Sequence, residues 1–558
     1  MILLKTNHGR VTRMVWLFLI LVPVTCYTIV ISFLHWNLPV HDDYIIQFEI
    51  EQMLDKTSLP AFLDILFSQL NEHRLFYTRI IFLLNYLIQN KLSYTLLIFL
   101  GNLPLIGIWF IVAAWQRQAS MSIWTSVFAS WMLFQFQYHE NSLWAMAALQ
   151  NITIHFLYLL LFSMLVSKSR KVWWVALAVG GLMCYTSGNG FIALGIGGIS
   201  LFLQRRWQDL SIWILLFLAT ILTYFYQYQA VAESHAMNAS TNRLLEILLG
   251  LTTFIGQGLV IHQSLSDVSI VMVLGFAAIV ASALLSLHAL RHLLPVFCYN
   301  ELLTAKDCLM IVLVEVNIFI MLSGLALACN RMHAGDYSAM ISSRYQLYPT
   351  MLILANVCLF QLLFPKVFQR FSTIMLAASI LAWLLIFQKN LSSMYLFSDQ
   401  TLAYYFNTQQ LSQTAPAPHR TIFQPDTETK LSLLKIGQAL KKATVDQRAS
   451  KAIKILDLDY VHCMSCANSL HPGDFNFVVL KNARFQLLFP LLRNANKGLR
   501  SFWLKGKLFD VGNTAQLYSF FLNVGSLKKP YTISLLEKRD EDITHYSTNI
   551  QIDLTTNK

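Results

Sequence analysis

Residues 15–44 read VWLFLILVPVTCYTIVISFLHWNLPVHDDY. The first twenty carry no charge, and about 20 such residues are what an α-helix needs to cross a bilayer. His35-Trp36 follow, and then two adjacent carboxylates, Asp42 and Asp43. The run is long enough to span, and no small-residue cleavage site comes after it. It is therefore expected to remain as an anchor, not to be removed as a signal peptide.

The rest of the chain has the same character. Of its 558 residues 56% are apolar and 13% are Asp, Glu, Lys or Arg, against roughly 25% charged residues in a soluble protein. Mean hydropathy is +0.52. An ordinary soluble enzyme, a disordered chain and a fibrous repeat are excluded. Eight cysteines in a chain of this length are too sparse for a disulfide scaffold. Charge is uneven: residues 389–558 hold 21 of the 41 Lys+Arg and 13 of the 29 Asp+Glu. The expected architecture is an all-α polytopic membrane domain over 1–388 and a soluble α+β domain over 389–558.

Apolar runs at 15–34, 92–115, 120–138, 143–166, 209–227, 268–290, 308–328, 349–364 and 372–388, and two within 171–203 around Ser187-Gly188-Asn189-Gly190, predict about eleven spans. Basic clusters at Lys5/Arg10/Arg13, Arg117, Lys168/Arg170/Lys171, Arg205/Arg206, Arg291/Lys306 and Lys366/Arg370 fall on one side only if the runs 75–90 and 244–262 do not cross. Those two are read as helices on the outer surface. The N-terminus is then cytoplasmic and 389–558 lie outside. Against that bias, Arg74, Arg243, Arg331 and Arg344 fall outside as well. They are either plain surface charges or cations held there to meet a phosphate.

The long first outer loop, 35–91, carries the densest chemistry. Asp42-Asp43 open it, two amphipathic stretches follow (45–54 and 59–70), and Asn71-Glu72-His73-Arg74 precede the run at 75–90. Paired carboxylates at a membrane surface suit a general base with an orienting partner, or a divalent cation. They equally suit a helix N-cap. A His-Arg pair suits an anionic group, or the polar face of a surface helix.

An acidic pair just past the first span, with DD…NEHR in a long outer loop, resembles the glycosyltransferase-C superfamily, whose members include protein O-mannosyltransferases and the aminoarabinose transferases of lipid A. Further points of similarity are the Gly turn at 180–190, the basic turn Gln204–Asp209, and Ser342-Ser343-Arg344-Tyr345 before Pro349. The resemblance covers roughly residues 15–388, and 389–558 match nothing familiar. It implies a membrane glycosyltransferase that moves a sugar from a polyprenyl-phosphate donor to a lipid, glycan or protein of the envelope. The setting would be the outer face of a bacterial cytoplasmic membrane, with a periplasmic C-terminal domain and no role for nucleic acid.

It also implies roles. Asp42, with Asp43 as neighbour and alternative, is the base on the acceptor. Arg344 and Tyr345, with His73 and Arg74 second, stabilise the departing lipid phosphate. Glu72, His139 and Glu140 support them. Some members hold a divalent metal and others work without one. If a metal is used here, Mg or Mn would sit on Asp42, Asp43, His139 and Glu140, a set that reads equally as a polar turn between spans. Two other classes remain on the sequence alone: a transporter or flippase for lipid-linked glycans, and a non-catalytic membrane scaffold. The first predicts charges lining several spans, yet only Glu315 is clearly intramembrane.

In the outer part, 429–443 read as helix and 476–480, 501–508 and 531–536 as strands. Cys463 and Cys466 read as a structural disulfide. A redox pair, or a metal site with His462 and His471, is the alternative.

Overall fold

The computed structural model describes residues 7–229, 243–261, 267–298, 303–332, 337–412 and 422–442, and beyond them eight strands. In chain order the first helices are α1 (Asn7–Leu34), α2 (Asp43–Leu54), α3 (Leu59–Leu66), α4 (Phe76–Gln89), α5 (Tyr94–Gln118), α6 (Trp124–Leu133) and α7 (His139–Leu143). A short α8 (Ala145–Ala147) runs through a π-turn at 148–152 into α9 (Thr153–Leu165). Then come α10 (Arg170–Cys184), α11 (Gly190–Leu203), α12 (Trp207–Phe225), α13 (Arg243–Gly256), α14 (Val268–Cys298), α15 (Ala305–Arg331), α16 (Leu347–Leu363), α17 (Pro365–Ser412) and α18 (Thr427–Lys441). Eight helices among the described residues are long and apolar enough to cross a membrane. The protein is a mostly helical membrane protein with a C-terminal sheet.

Three of the eleven expected spans are shorter than that. The two halves of 171–203 form helices of 15 and 14 residues, α10 and α11. Over 120–138 only α6 is helical, at ten residues, or roughly 15 Å of axis. After it the chain runs irregularly, and side-chain amides satisfy the backbone. Gln135 accepts from the Gln137 N–H at 2.6 Å, and Gln137 donates to the carbonyls of Gly258 and Val260 at 3.4 and 3.3 Å. The carbonyl of Phe134 takes the Trp383 indole N–H at 2.6 Å. Irregular backbone survives in an apolar setting only when enclosed by protein, and 133–138 are all buried. The runs at 75–90 and 244–262, read as surface helices, form α4 and α13.

The chain divides into two compact units. One comprises 1–28, 46–84 and 97–387; the other comprises 29–45, 85–96 and 388–558. The cut in the C-terminal direction falls inside α17, and two N-terminal segments count with the C-terminal part.

Within the first unit, side-chain hydrogen bonds cross-link the helices, as apolar packing alone gives little drive between spans in lipid. The Tyr27 hydroxyl donates to Asn102 Oδ1 at 2.6 Å and lies 2.7 Å from Ser142 Oγ. Asn317 donates to Ser286 and Asn356, and Asn356 to Ser282. Close contact between α13 and α14 depends on glycine: a Cβ at Gly256 would stand 1.8 Å from the Val271 carbonyl oxygen, and one at Gly275 1.8 Å from that of Thr252.

The second unit holds the sheet, with strands β1 (Thr444–Val445), β2 (Ile453–Asp457), β3 (Tyr460–Cys463), β4 (Asn476–Lys481), β5 (Gln486–Ala495), β6 (Phe509–Gln516), β7 (Tyr531–Arg539) and β8 (Asp542–Ile552). Their order is β1-β8-β7-β4-β5-β6-β3-β2, and every pair is antiparallel but β1–β8. Phe477, Val478, Val479 and Leu480 are all fully buried, so β4 is covered on both faces, which explains its unbroken apolar run. β5 meets β6 only from Leu491 onward. Ahead of that point Asn407 of α17 takes the place of a strand. It donates to the Leu488 carbonyl at 2.9 Å and accepts from the Leu488 N–H at 2.7 Å, satisfying a ladder that would otherwise lie open. The expected strand at 501–508 and Cys466 lie outside the described residues. Cys463 closes β3, and its pairing with Cys466 is likewise outside them.

Candidate functional site

The first unit gathers its polar groups around the Asn71–Arg74 turn. Asn71 adopts φ 51°, a left-handed conformation that Asn tolerates. This lets Leu70 and His73 exchange backbone hydrogen bonds of 2.7 and 2.9 Å. Below the turn, fully buried Arg79 makes a bidentate pair with Glu49, 2.7 Å for each bond, and also donates to the Ser68 carbonyl at 2.8 Å. Residues as far apart as 49 and 79 are thereby fixed, and the turn with them.

Arg74, a second candidate for the lipid phosphate, is held by three backbone carbonyls. Its Nε donates to the Tyr224 carbonyl and Nη1 to that of Phe67, both at 2.5 Å, and Nη2 to that of Tyr226. Those oxygens lie at the ends of α3 and α12, where helices leave carbonyls unpaired and favour a cation. Every guanidinium nitrogen is committed to holding the loop against α12. Its residue type suggested an anion site, but two of its three acceptors were hidden 150 or more residues away.

His73 packs on the glycine turn. A Cβ at Gly188 would sit 3.5 Å from His73 Nδ1, and Nδ1 is buried without a hydrogen-bond partner among the described residues. Its neighbour Glu72 pairs with Arg331 at 2.9 Å. Burial pulls the His73 imidazole below its usual pKa of 6.5; Glu72 opposes that shift and Arg331 adds to it. Between the lowered folded value and 6.5 the unfolded chain binds more protons, so stability falls as pH falls. Thermal unfolding of the detergent-solubilised protein should therefore weaken below about pH 6.5, and His73→Gln should flatten part of that slope. An unchanged slope would show that His73 is not a buried neutral imidazole.

A second cluster forms where α7 meets residues 342–346. Arg344 Nε lies 3.5 Å from Glu140 Oε2, its guanidinium stands 6.0 Å from the Tyr345 ring centroid, and its carbonyl accepts from Asn141 at 2.8 Å. His139 and Glu140 open α7 beside it. From there Tyr348 reaches back to the glycine turn: Asn189 donates to its hydroxyl at 2.6 Å. Thus Glu140, Arg344 and Tyr345 form one cluster, while Tyr348 is tied to Asn189, next to the Gly188 on which His73 packs.

Asp42 and Asp43 belong to the second unit. Asp43 is fully buried and accepts the Val40 N–H at 3.0 Å, closing the turn that begins α2. Asp42 is only part-buried. Among the described residues no three His, Cys, Asp or Glu side chains converge as a metal site would require; Asp42 and Asp43 fall in the second unit, and His139 and Glu140 in the first.

What the sequence reading missed is an apolar groove between α11 and α15. It is lined by Ile192, Ile196, Ile199, Ile318, Leu322 and Cys329 and has a volume of about 480 Å³. At one end Ile192 follows the Gly188-Asn189 turn on which His73 rests, and Cys329 precedes Arg331. Arg331 did carry a signal, being a base on the side where bases are disfavoured.

The chain matches no protein-family model, no curated protein and no solved structure.

Proposed function

We propose that the protein is a membrane transferase of the glycosyltransferase-C kind, which takes a sugar from a polyprenyl-phosphate donor and passes it to a lipid, glycan or protein. We place the reaction at the outer face of a bacterial inner membrane, with the N-terminus cytoplasmic and residues 389–558 periplasmic. The observation that carries this reading is the groove between α11 and α15, whose lining includes Cys329, two residues before Arg331, and Ile192, four residues after the Gly188 on which His73 packs. An aliphatic channel next to a guanidinium suits an amphiphile with a long hydrocarbon tail and an anionic head.

In the reaction the acceptor hydroxyl or amine attacks the anomeric carbon. The bond from that carbon to the phosphate oxygen breaks, and the lipid phosphate leaves with the electron pair. Asp42 takes the acceptor's proton. Arg331 meets the growing phosphate charge, and Arg344 with Tyr345 is the second cationic group available to it. The donor arrives already activated, so no nucleotide is needed.

The test is mass spectrometry of envelope lipids and glycans in cells lacking the protein, complemented by wild type or variants. Deletion should remove a sugar mass. Asp42→Asn should slow transfer about a hundredfold while still inserting. Arg331→Gln should raise KM for the donor about tenfold, the loss of one charge-assisted contact. If both variants restore whatever deletion removes, the transferase reading fails.

A further inference from the structure

Beside the Asn71–Arg74 turn lies an open cleft of about 1380 Å³, walled by the end of α3 with the turn on one side and by residues 222–229 on the other. It exceeds the roughly 300–1,000 Å³ usual for a site that takes one small ligand. Its lining is unlike that of the groove. Four side-chain amides (Gln69, Asn71, Gln227 and Gln229) and two phenol rings (Tyr185 and Tyr226) face it.

The cleft is strapped into shape. Gln69 Nε2 donates to the carbonyls of Asn71 and Gln229, each at 2.7 Å, and its Oε1 accepts the Gln229 N–H at 2.9 Å. Tyr185 donates to Thr223 at 2.6 Å. Asn71, Tyr226 and Gln227 are exposed, and Gln227 adopts φ 54°. The one cation in the lining is Arg74, whose three nitrogens already serve carbonyls. The one acid is Asp64. An anion would find no uncommitted cation among these residues, and an aliphatic chain would take water from the amides of Asn71, Gln227 and Gln229 without giving them partners.

We propose that this cleft binds a neutral oligosaccharide. Amides offer paired donors and acceptors to ring hydroxyls. Tyrosine rings offer flat apolar faces to the C–H faces of the sugars. Resting on the transferase reading, the cleft would hold the acceptor: Asn71 lines it, while Glu72 and His73, next in the chain, meet Arg331 and Gly188 near the groove.

The test uses the full chain in a detergent without sugar headgroups. Saturation-transfer NMR is run against neutral tetrasaccharides built on glucose, galactose, mannose or N-acetylglucosamine, and against their sulfated counterparts. Saturable binding of at least one neutral glycan is expected. Tyr226→Ala combined with Gln227→Gly, the glycine preserving the left-handed backbone, should weaken it at least tenfold. Both positions are exposed, and an unchanged elution profile on gel filtration checks the fold. The proposal is overturned if no neutral glycan binds, if the sulfated forms bind better, or if the double variant binds like wild type. Binding that persists where deletion removes no sugar from the envelope would leave the cleft standing and sink the transferase reading alone. Transfer that tolerates the double variant would do the reverse to the cleft's acceptor role.

Discussion

Arg79→Leu should destabilise the protein by about 3–5 kcal/mol, the cost of leaving a buried carboxylate without its partner. Glu49 would lose both arms of its bidentate bond, and the Ser68 carbonyl would lose its donor. Arg79 is wholly buried and the Glu49 side chain is 12% exposed, so water offers little replacement. The double variant Glu49→Leu/Arg79→Leu should recover much of the loss, because it removes the stranded charge along with the bond. Thermal unfolding of the solubilised chain, with the single and double variants side by side, reads both effects. A single variant as stable as wild type would mean that the pair does not hold 49 to 79. If the double variant is no better than the single, the cost lies in lost packing and not in the unpaired charge.

Gly256→Val and Gly275→Val should each cost about 3 kcal/mol or more, at or beyond the upper end for overpacking. The obstruction at both is main chain. The atoms 1.8 Å from the added carbons are the Val271 and Thr252 carbonyl oxygens, which cannot rotate away as a side chain would. α13 and α14 would have to separate along their crossing. Gly437, with nothing within 4 Å of its added Cβ, is the control, and Gly437→Ala should change little. The readout is the yield of monodisperse protein and its melting temperature. Wild-type behaviour of Gly275→Val would show that the two helices do not touch there.

Both effects come from contacts that no local pattern announces. Glu49 and Arg79 were legible as charges in a surface loop, but the 30 residues between them hid the pairing. The same limit applies to Arg74. A His-Arg dipeptide in an outer loop looks like an anion site whether its partners are phosphate oxygens or helix-end carbonyls, and here three carbonyls supply the answer. Arg331 shows the opposite case. Its place against the charge bias was readable from the start, yet only the groove running up to Cys329 gives that charge a neighbour worth meeting.

The amino-acid sequence by itself determined the class of the molecule and most of its helices. A run of about 20 uncharged residues has few alternatives to a spanning helix, and the composition excluded the soluble classes. It determined a helix read at 429–443 and strands read at 476–480 and 531–536, which the structure places at α18, β4 and β7, because β-branched and aromatic runs bounded by breakers leave a local mark. Tertiary structure decided the rest. It cut 120–138 to ten helical residues, because Gln135 and Trp383 satisfy the backbone that follows. It moved Arg74 from ligand to clamp and opened an amide-lined cleft beside it. Spans are legible because each helix satisfies its own hydrogen bonds within a few residues. A site is not, because its bonds close between segments more than a hundred residues apart.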